Sequence, residues 1–149
     1  MNIRRAELND LQQVYEVEHS AFGGGYTYGT IRQYHDLFGD LLYVAEHDDG
    51  RIVGYVLGGI PSTDSSVAWV LTLAVHSDYQ QSGVGTALMD AILAVMRARG
   101  CRRILLTVHP SKSHVIAFYQ KLGFVIEAQV ADYFGEGNPR NIMVYTLPA

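Results

Sequence analysis

A mixed α/β (α+β) layer fold follows from the order of the apolar patterns along the chain, and three observations predict it. Two segments rich in Val, Ile, Leu and Tyr, Leu41–Glu46 and Arg51–Ile60, are joined by His-Asp-Asp-Gly, whose Asp49-Gly50 pair is a hairpin signal. The run Val67–Val75 is apolar at nearly every position, as a central strand covered on both faces would be. The segment after Gly83 repeats its apolar residues at intervals of three and four, the period of a helix laid on a sheet.

The elements follow in order. Ile3 to Ala6 forms a short strand. Asn9 and Gln12 have capping-box spacing, and Leu11, Val14, Tyr15 and Val17 then give one apolar face, so a first helix is expected from Asp10 to His19. The stretch Phe22-Gly-Gly-Gly-Tyr-Thr-Tyr-Gly29 carries too many glycines for regular structure; it hands over to a short helix through Ile31, Tyr34 and Phe38 that stops at Gly39. After the hairpin and the polar loop Pro61–Ser66 comes Val67–Val75, expected in the middle of the sheet. The helix opened by Gly83 runs through Val84, Leu88, Ala91 and Val95 and ends with Arg97, Arg99 and the stop Gly100. Arg103–Val108 is a strand. Ser111 or Ser113 caps a last helix through Val115, Phe118, Tyr119 and Leu122 that Gly123 ends. Phe124–Ala131 and Asn141–Leu147 close the sheet.

Length and composition narrow the function. At 149 residues the chain is sized for one domain, 1–149, and 48% apolar content with 17% charged residues is that of a globular chain. Eleven Lys and Arg against fifteen Asp and Glu give a net charge of −4, which disfavours nucleic acid as the main ligand and fits a basic or neutral partner. No apolar stretch reaches the ~20 residues of a membrane helix, and Met1–Gln13 lacks an apolar signal core, so a cytoplasmic protein with no membrane partner is expected. The single cysteine, Cys101, excludes an internal disulfide and a cysteine zinc site. The six histidines (His19, His35, His47, His76, His109, His114) show no ligand spacing, so no metal is expected.

The stretch from Leu73, Ala74 and Val75 to Thr86 carries the chemistry: a strand, a polar turn, then glycines opening a helix. The first amides of a helix lack partners and sit at the positive end of its dipole. Gly83 and Gly85 remove the side chains that would hold a phosphate away, and Gln80, Gln81 and Ser82 add neutral donors beside Val84 and Thr86. A dinucleotide fingerprint is missing, because its third small position holds Leu88, and no Gly-Lys-Ser/Thr follows any glycine as a Walker loop requires. The same segment is also compatible with a plain glycine-bearing helix start.

Gln80-x-x-Gly83-x-Gly85, after Leu-Ala-Val and before an amphipathic helix, resembles the acetyl-CoA pyrophosphate motif of the GNAT acyltransferase superfamily. Leu105-Leu-Thr-Val-His followed by Tyr119-Gln-Lys-Leu-Gly-Phe124 is similar to that family's strand, crossover helix and tyrosine segment, and the element order is the family's own. The pattern is nearest to bacterial protein N-terminal (ribosomal-protein-alanine) acetyltransferases. The resemblance implies a mostly antiparallel central sheet flanked by helices, with a bulged central strand, in a monomer or homodimer. It implies an acetyl-CoA-dependent N-acetyltransferase in which a primary amine, a protein N-terminal α-amine or a small amine, attacks the thioester directly.

Residue by residue, the resemblance makes Tyr119 the acid for the departing CoA thiolate; otherwise it packs on the helix face with Val115 and Leu122. Leu73, Ala74 and Val75 would pair through their main chains with the acetyl and pantetheine arm, and the Gln80–Thr86 segment would hold the pyrophosphate. Leu106-Thr107-Val108-His109 is similar to Leu-Glu-Val-Arg of the N-terminal acetyltransferases, but Thr107 replaces their catalytic glutamate. Threonine does not accept a proton at neutral pH; it positions a water, and His109, on the same strand face, shares that work or is structural. Lys112 replaces an asparagine of those relatives and is expected to meet a CoA phosphate. Asp132–Met143 is similar to their substrate-contacting tail, with Tyr133 matching a peptide-contacting tyrosine, whereas Asn138-Pro139-Arg140 replaces an acidic pair and reverses its charge. Tyr26 and Tyr28 lie where the family builds its acceptor site, as acceptor contacts or as anchors of the loop. The missing glutamate leaves open a second reading, a CoA-binding sensor or interaction module without strong catalysis.

Overall fold

The structure is a computed structural model and describes residues 1–148. It contains seven strands, β1 (Asn2–Arg5), β2 (Leu42–Glu46), β3 (Ile52–Gly59), β4 (Val67–Val75), β5 (Arg103–Val108), β6 (Val125–Val130) and β7 (Arg140–Thr146), and four α-helices, α1 (Leu11–Phe22), α2 (Tyr28–Phe38), α3 (Val84–Ala98) and α4 (Ser113–Leu122). The strands hydrogen-bond in the order β1-β2-β3-β4-β5-β7-β6. Strand β4 is therefore the middle one, as its apolar run predicts. The pairs β1/β2, β2/β3, β5/β7 and β6/β7 are antiparallel and β4/β5 is parallel, so the sheet is mixed and mostly antiparallel. The chain divides into two compact units, each made of two segments: Met1–Gly59 with Thr72–Val95, and Ile60–Leu71 with Met96–Ala149.

In the first unit α1 and α2 pack on one face of the strands. Leu11, Val14, Val17 and Ile31 from the helices meet Leu42, Val44, Tyr55 and Leu57 from β2 and β3 in one buried cluster. The opposite face of β3 receives α3. A Cβ on Gly54 would sit 2.9 Å from Val84 Cγ1, 3.0 Å from Leu88 Cδ1 and 3.2 Å from the Ala74 carbonyl oxygen. Glycine there lets the first turn of α3 approach the sheet closely, which fixes where that helix begins.

The second unit is organised by β5, β7 and β6. The parallel pairing of β4 with β5 runs only from Val67↔Arg103 to Trp69↔Leu105, whereas β5 pairs with β7 along its whole length to Val108↔Asn141. The end of α4 meets β7 at Gly123, where a Cβ would sit 2.9 Å from Tyr145 Cε2. Tyr119 packs edge-on to Phe124, and Phe124 packs on Tyr145, the cross-strand partner of Ile104.

Three expectations need correction. The two faces of β4 are not covered alike: Ala68, Val70 and Ala74 are buried, but Val67, Trp69, Leu73 and Val75 of the other parity are only half-buried and Leu71 is 38% exposed. The strand buried at every position is β3. The Asn9/Gln12 capping box does not form; the Asp10 carboxylate instead accepts the Glu7 N–H at 2.7 Å and a bidentate pair of bonds from Arg4, and α1 starts at Leu11 and extends to Phe22. Neither serine caps α4. Lys112 occupies the cap position without a side-chain bond, Ser113 is the first helical residue, and Ser111 is drawn to His109. Among the described residues no helix is long and apolar enough to cross a membrane.

Candidate functional site

In the first unit, β4 runs into a short 3-10 turn (Ser77–Tyr79) and then into the glycine loop ahead of α3. The turn is capped by His76, whose Nδ1 accepts the Asp78 N–H at 3.2 Å. Gln81 (φ 62°) and Gly83 (φ 87°) both take left-handed backbone. Alternation of left-handed with ordinary residues turns successive N–H groups toward one side, the geometry of an anion nest. The Ala87 N–H makes a helical bond to the Gly83 carbonyl at 3.1 Å, so the amides of Val84, Gly85 and Thr86 precede any helical acceptor.

The expected side-chain donors behave differently from the backbone. Gln80 Nε2 donates to the Val75 carbonyl at 3.3 Å, and the Ser82 hydroxyl donates to the Tyr79 carbonyl. Both are committed to the shape of the loop. A cation stands beside the turn as well. Arg51 pairs with Asp49, donates to the Tyr79 hydroxyl and lies over that ring, with Cζ 5.7 Å from its centroid. Arg51 carries no motif of its own; only the hairpin turn brings it to Tyr79.

The tyrosine loop of the same unit is anchored by a residue that the sequence reading passes over. Glu18, on α1, is 3% exposed. Its Oε1 accepts the Tyr55 hydroxyl at 2.6 Å and its Oε2 accepts the Tyr26 N–H at 3.1 Å. Gly25 (φ 107°) crosses directly over the carboxylate, where a Cβ would collide with Oε2. Burial, aided by Tyr34 and Glu18, pushes the Tyr26 phenol up to about 12, and burial also raises Tyr55. Tyr26 is thus an anchor, edge-on to Tyr34 at 5.3 Å between centroids, whereas Tyr28 begins α2 exposed to solvent.

In the second unit, Thr107 is half-buried on β5, opposite Ile142. His109 lies two residues further on. Its Nδ1 accepts the Ser111 N–H at 3.1 Å and stands 2.8 Å from Ser111 Oγ, which leaves the ring proton on Nε2. Held this way, His109 presents a donor rather than a base. Lys112 and Tyr133 are exposed. Tyr119, on α4, is 8% exposed and packs between Phe118 and Phe124. Among the described residues nothing accepts its hydroxyl proton, and burial raises its pKa, so it stays protonated. No group of three or more His, Cys, Asp or Glu among the described residues is placed to hold a metal ion.

Comparison with known proteins gives consistent matches over this whole arrangement. A model of the acetyltransferase (GNAT) family matches residues 10–124. An "uncharacterized N-acetyltransferase" of Methanocaldococcus jannaschii is 31% identical over 149 residues, 99% of this chain and 93% of that protein. An N-alpha-acetyltransferase of Sulfurisphaera tokodaii is 28% identical over 155 residues, covering 97% of this chain and 92% of its own. The crystal structure of Ard1 from Thermoplasma volcanium superposes with a TM-score of 0.89 at 28% identity, over 99% of this chain and 98% of that one.

Proposed function

Because the chain belongs to the acetyltransferase (GNAT) family and is an N-acetyltransferase, we propose that it moves the acetyl group of acetyl-CoA to a low-pKa primary amine, a protein N-terminal α-amine or a small amine. The observation that carries the cofactor half is the loop from Gln80 to Thr86, whose left-handed Gln81 and Gly83 and unpartnered helix-start amides suit a pyrophosphate. Leu73, Ala74 and Val75 offer main-chain groups to the pantetheine arm, and Lys112 offers an ammonium to a CoA phosphate.

The reaction follows from these roles. The amine nitrogen attacks the thioester carbonyl; the tetrahedral intermediate collapses, its carbon–sulfur bond breaks, and the thiolate takes a proton from Tyr119. The amine proton leaves to a water held by the Thr107 hydroxyl, with the Nε2–H of His109 orienting that water. Tyr28 and Tyr133, both exposed, are the acceptor contacts in this reading, and Tyr26 anchors the loop that leads to Tyr28. An α-amine of pKa about 7.7–8.0 is appreciably neutral at pH 7, while a lysine near 10.4 is neutral on the order of once in a thousand. A site without a carboxylate base favours the easier amine.

Mass spectrometry of an acceptor panel tests this. Peptides with free α-amines, the same peptides with the α-amine blocked and a lysine present, and small amines are incubated with protein and acetyl-CoA. Acetylation of α-amines or low-pKa small amines is expected, and a robust rate on lysine ε-amines alone overturns the acceptor assignment. The cofactor half has its own test. Gly54→Ala forces a methyl group against Val84, Leu88 and the Ala74 carbonyl; overpacking of this kind costs about 1–3 kcal/mol. A lower melting temperature and a several-fold weaker acetyl-CoA affinity are expected, because the displaced turn supplies the amides.

A further inference from the structure

The loop between β6 and β7 carries a charge that this chemistry leaves unused. The loop holds its own shape: Gly135 N–H to the Asp132 carbonyl at 3.0 Å, Gly137 N–H to Asp132 Oδ1 at 3.0 Å, Phe134 N–H to the Asn138 carbonyl at 3.2 Å, and Asn138 N–H to the Gly135 carbonyl at 3.0 Å. Phe134, 60% exposed, stands edge-on to Tyr133. Arg140 lays its guanidinium on that phenyl ring, with Cζ 4.7 Å from the centroid, and donates from Nη1 to the Pro139 carbonyl at 2.6 Å. Its Nε and Nη2 have no partner among the described residues, and no carboxylate pairs with it. Asp132 is committed to the turn, and Glu136 points its charge into solvent.

Register places this cation. Thr107 is opposite Ile142, Val108 is opposite Asn141, and Arg140 is opposite Val130. Alternation along β7 puts Arg140 and Ile142 on one face together with Thr107, and makes Arg140 the diagonal neighbour of Thr107, roughly 7–8 Å away along the sheet. Thr107, Ile142 and Arg140 all keep partial exposure, whereas Leu106, Val108, Asn141 and Met143 of the other face are buried. A cation with two free donors therefore lies at the partly exposed end of this face, beyond the buried Leu105 and Val144, one side-chain length from the group that replaces the usual base.

We propose that Arg140 is a specificity-determining residue that reads a carboxylate on the acceptor, so that the enzyme favours amines bearing an acidic group close to the reacting nitrogen. The carboxylate belongs either to an acidic side chain at the start of a peptide or to the side chain of a free acidic amino acid. The inference rests on the acceptor reading of Thr107 above. A guanidinium fixed by ring stacking loses little freedom on pairing, and its Nε–Nη2 edge matches a carboxylate in bidentate fashion. The net charge of −4 does not oppose this, since the recognition is local and the long-range field is screened within about 8–10 Å at physiological salt.

Steady-state kinetics on three peptides that differ only in Glu, Gln or Lys at the second residue, with free glutamate and glutamine as separate acceptors, tests the proposal. Wild-type kcat/KM is expected to be about tenfold higher for the acidic member of a pair than for its neutral partner. Arg140→Gln brings that ratio near one through KM, and Arg140→Glu inverts it in favour of the Lys peptide, a reversal that a purely structural role does not produce. A preference confined to peptides assigns the carboxylate to an N-terminal segment; one confined to free glutamate assigns it to an amino acid. An unchanged ratio in both variants overturns the proposal, as does a loss of acetyl-CoA affinity without a change in ratio. No transfer to any acceptor, with acetyl-CoA bound, overturns the enzyme reading itself and this inference with it.

Discussion

Tyr119→Phe is expected to lower kcat by about 10²–10⁴-fold, the usual contribution of a positioned proton donor, while acetyl-CoA affinity and melting temperature stay near wild type. Phenylalanine fills the same space between Phe118 and Phe124. Removing the hydroxyl orphans no protein group, since none among the described residues accepts its proton, so no buried partner is left to destabilise the fold. Burial raises the phenol above its ordinary value near 10. A raised pKa keeps the proton on to higher pH, so Tyr119 supplies no alkaline decline in kcat below about pH 10. The acidic limb belongs to the acceptor, whose rate rises as the α-amine loses its proton near 7.7–8.0. Titration of kcat/KM in wild type and variant checks both points: the acidic limb persists in the variant at a lower plateau. Wild-type kcat in Tyr119→Phe would assign the residue to packing and bring the CoA-binding sensor reading forward.

Most of the fold was legible because the local signals agreed with the tertiary outcome. The limits of β4 and β5 coincide with their apolar runs, and Gly39 and Gly123 end their helices where glycine stops predict. The departures have physical causes. β4 is as apolar as a doubly covered strand, yet its Leu71 side is only half-buried; a fully covered apolar face and a partly open one share one composition. β3, which is covered on both sides, hides that fact behind its glycines, because Gly54 gives α3 room where a pattern search sees only a break. At α1 the Asn9/Gln12 spacing goes unused because the chain is capped one step earlier, where Glu7 and Asp10 form the reciprocal box and the Asp10 carboxylate also pairs with the Arg4 guanidinium. The turn into α3 is encoded in consecutive residues and so could be read. The Arg51–Tyr79 contact and the stacking of Arg140 on Phe134 depend on how turns fold back, which no spacing rule records. Glu18 escaped for a related reason: a single acidic residue among the apolar positions of a helix looks like a solvated face until Tyr55, far along the chain, is brought over it.

That buried carboxylate underlies the second large effect. Glu18→Ala leaves the Tyr26 N–H and the Tyr55 hydroxyl without an acceptor in a dry setting, a loss of about 2–5 kcal/mol from two unsatisfied donors and a side-chain-sized void. Gly25→Ala attacks the same contact from the loop side, since its Cβ would overlap the carboxylate and its φ of 107° suits glycine alone. Tyr55→Phe, which removes one donor with its bond and leaves Glu18 bonded to Tyr26, is expected to cost less, about 1–3 kcal/mol. Urea unfolding of the three variants orders them, and a Glu18/Tyr55 double-mutant cycle isolates the bond between the two side chains. The functional consequence separates from the structural one. The loop Gly23–Tyr28 hangs on this carboxylate, and it carries the exposed Tyr28 on the acceptor side of the proposed reaction. Gly25→Ala, assayed well below its melting temperature, should therefore raise the KM for the amine while acetyl-CoA affinity, which rests on the Gln80–Thr86 amides, changes little. Equal losses in both affinities would mean that Glu18 serves the stability of the α1–β3 core rather than the placement of the tyrosine loop.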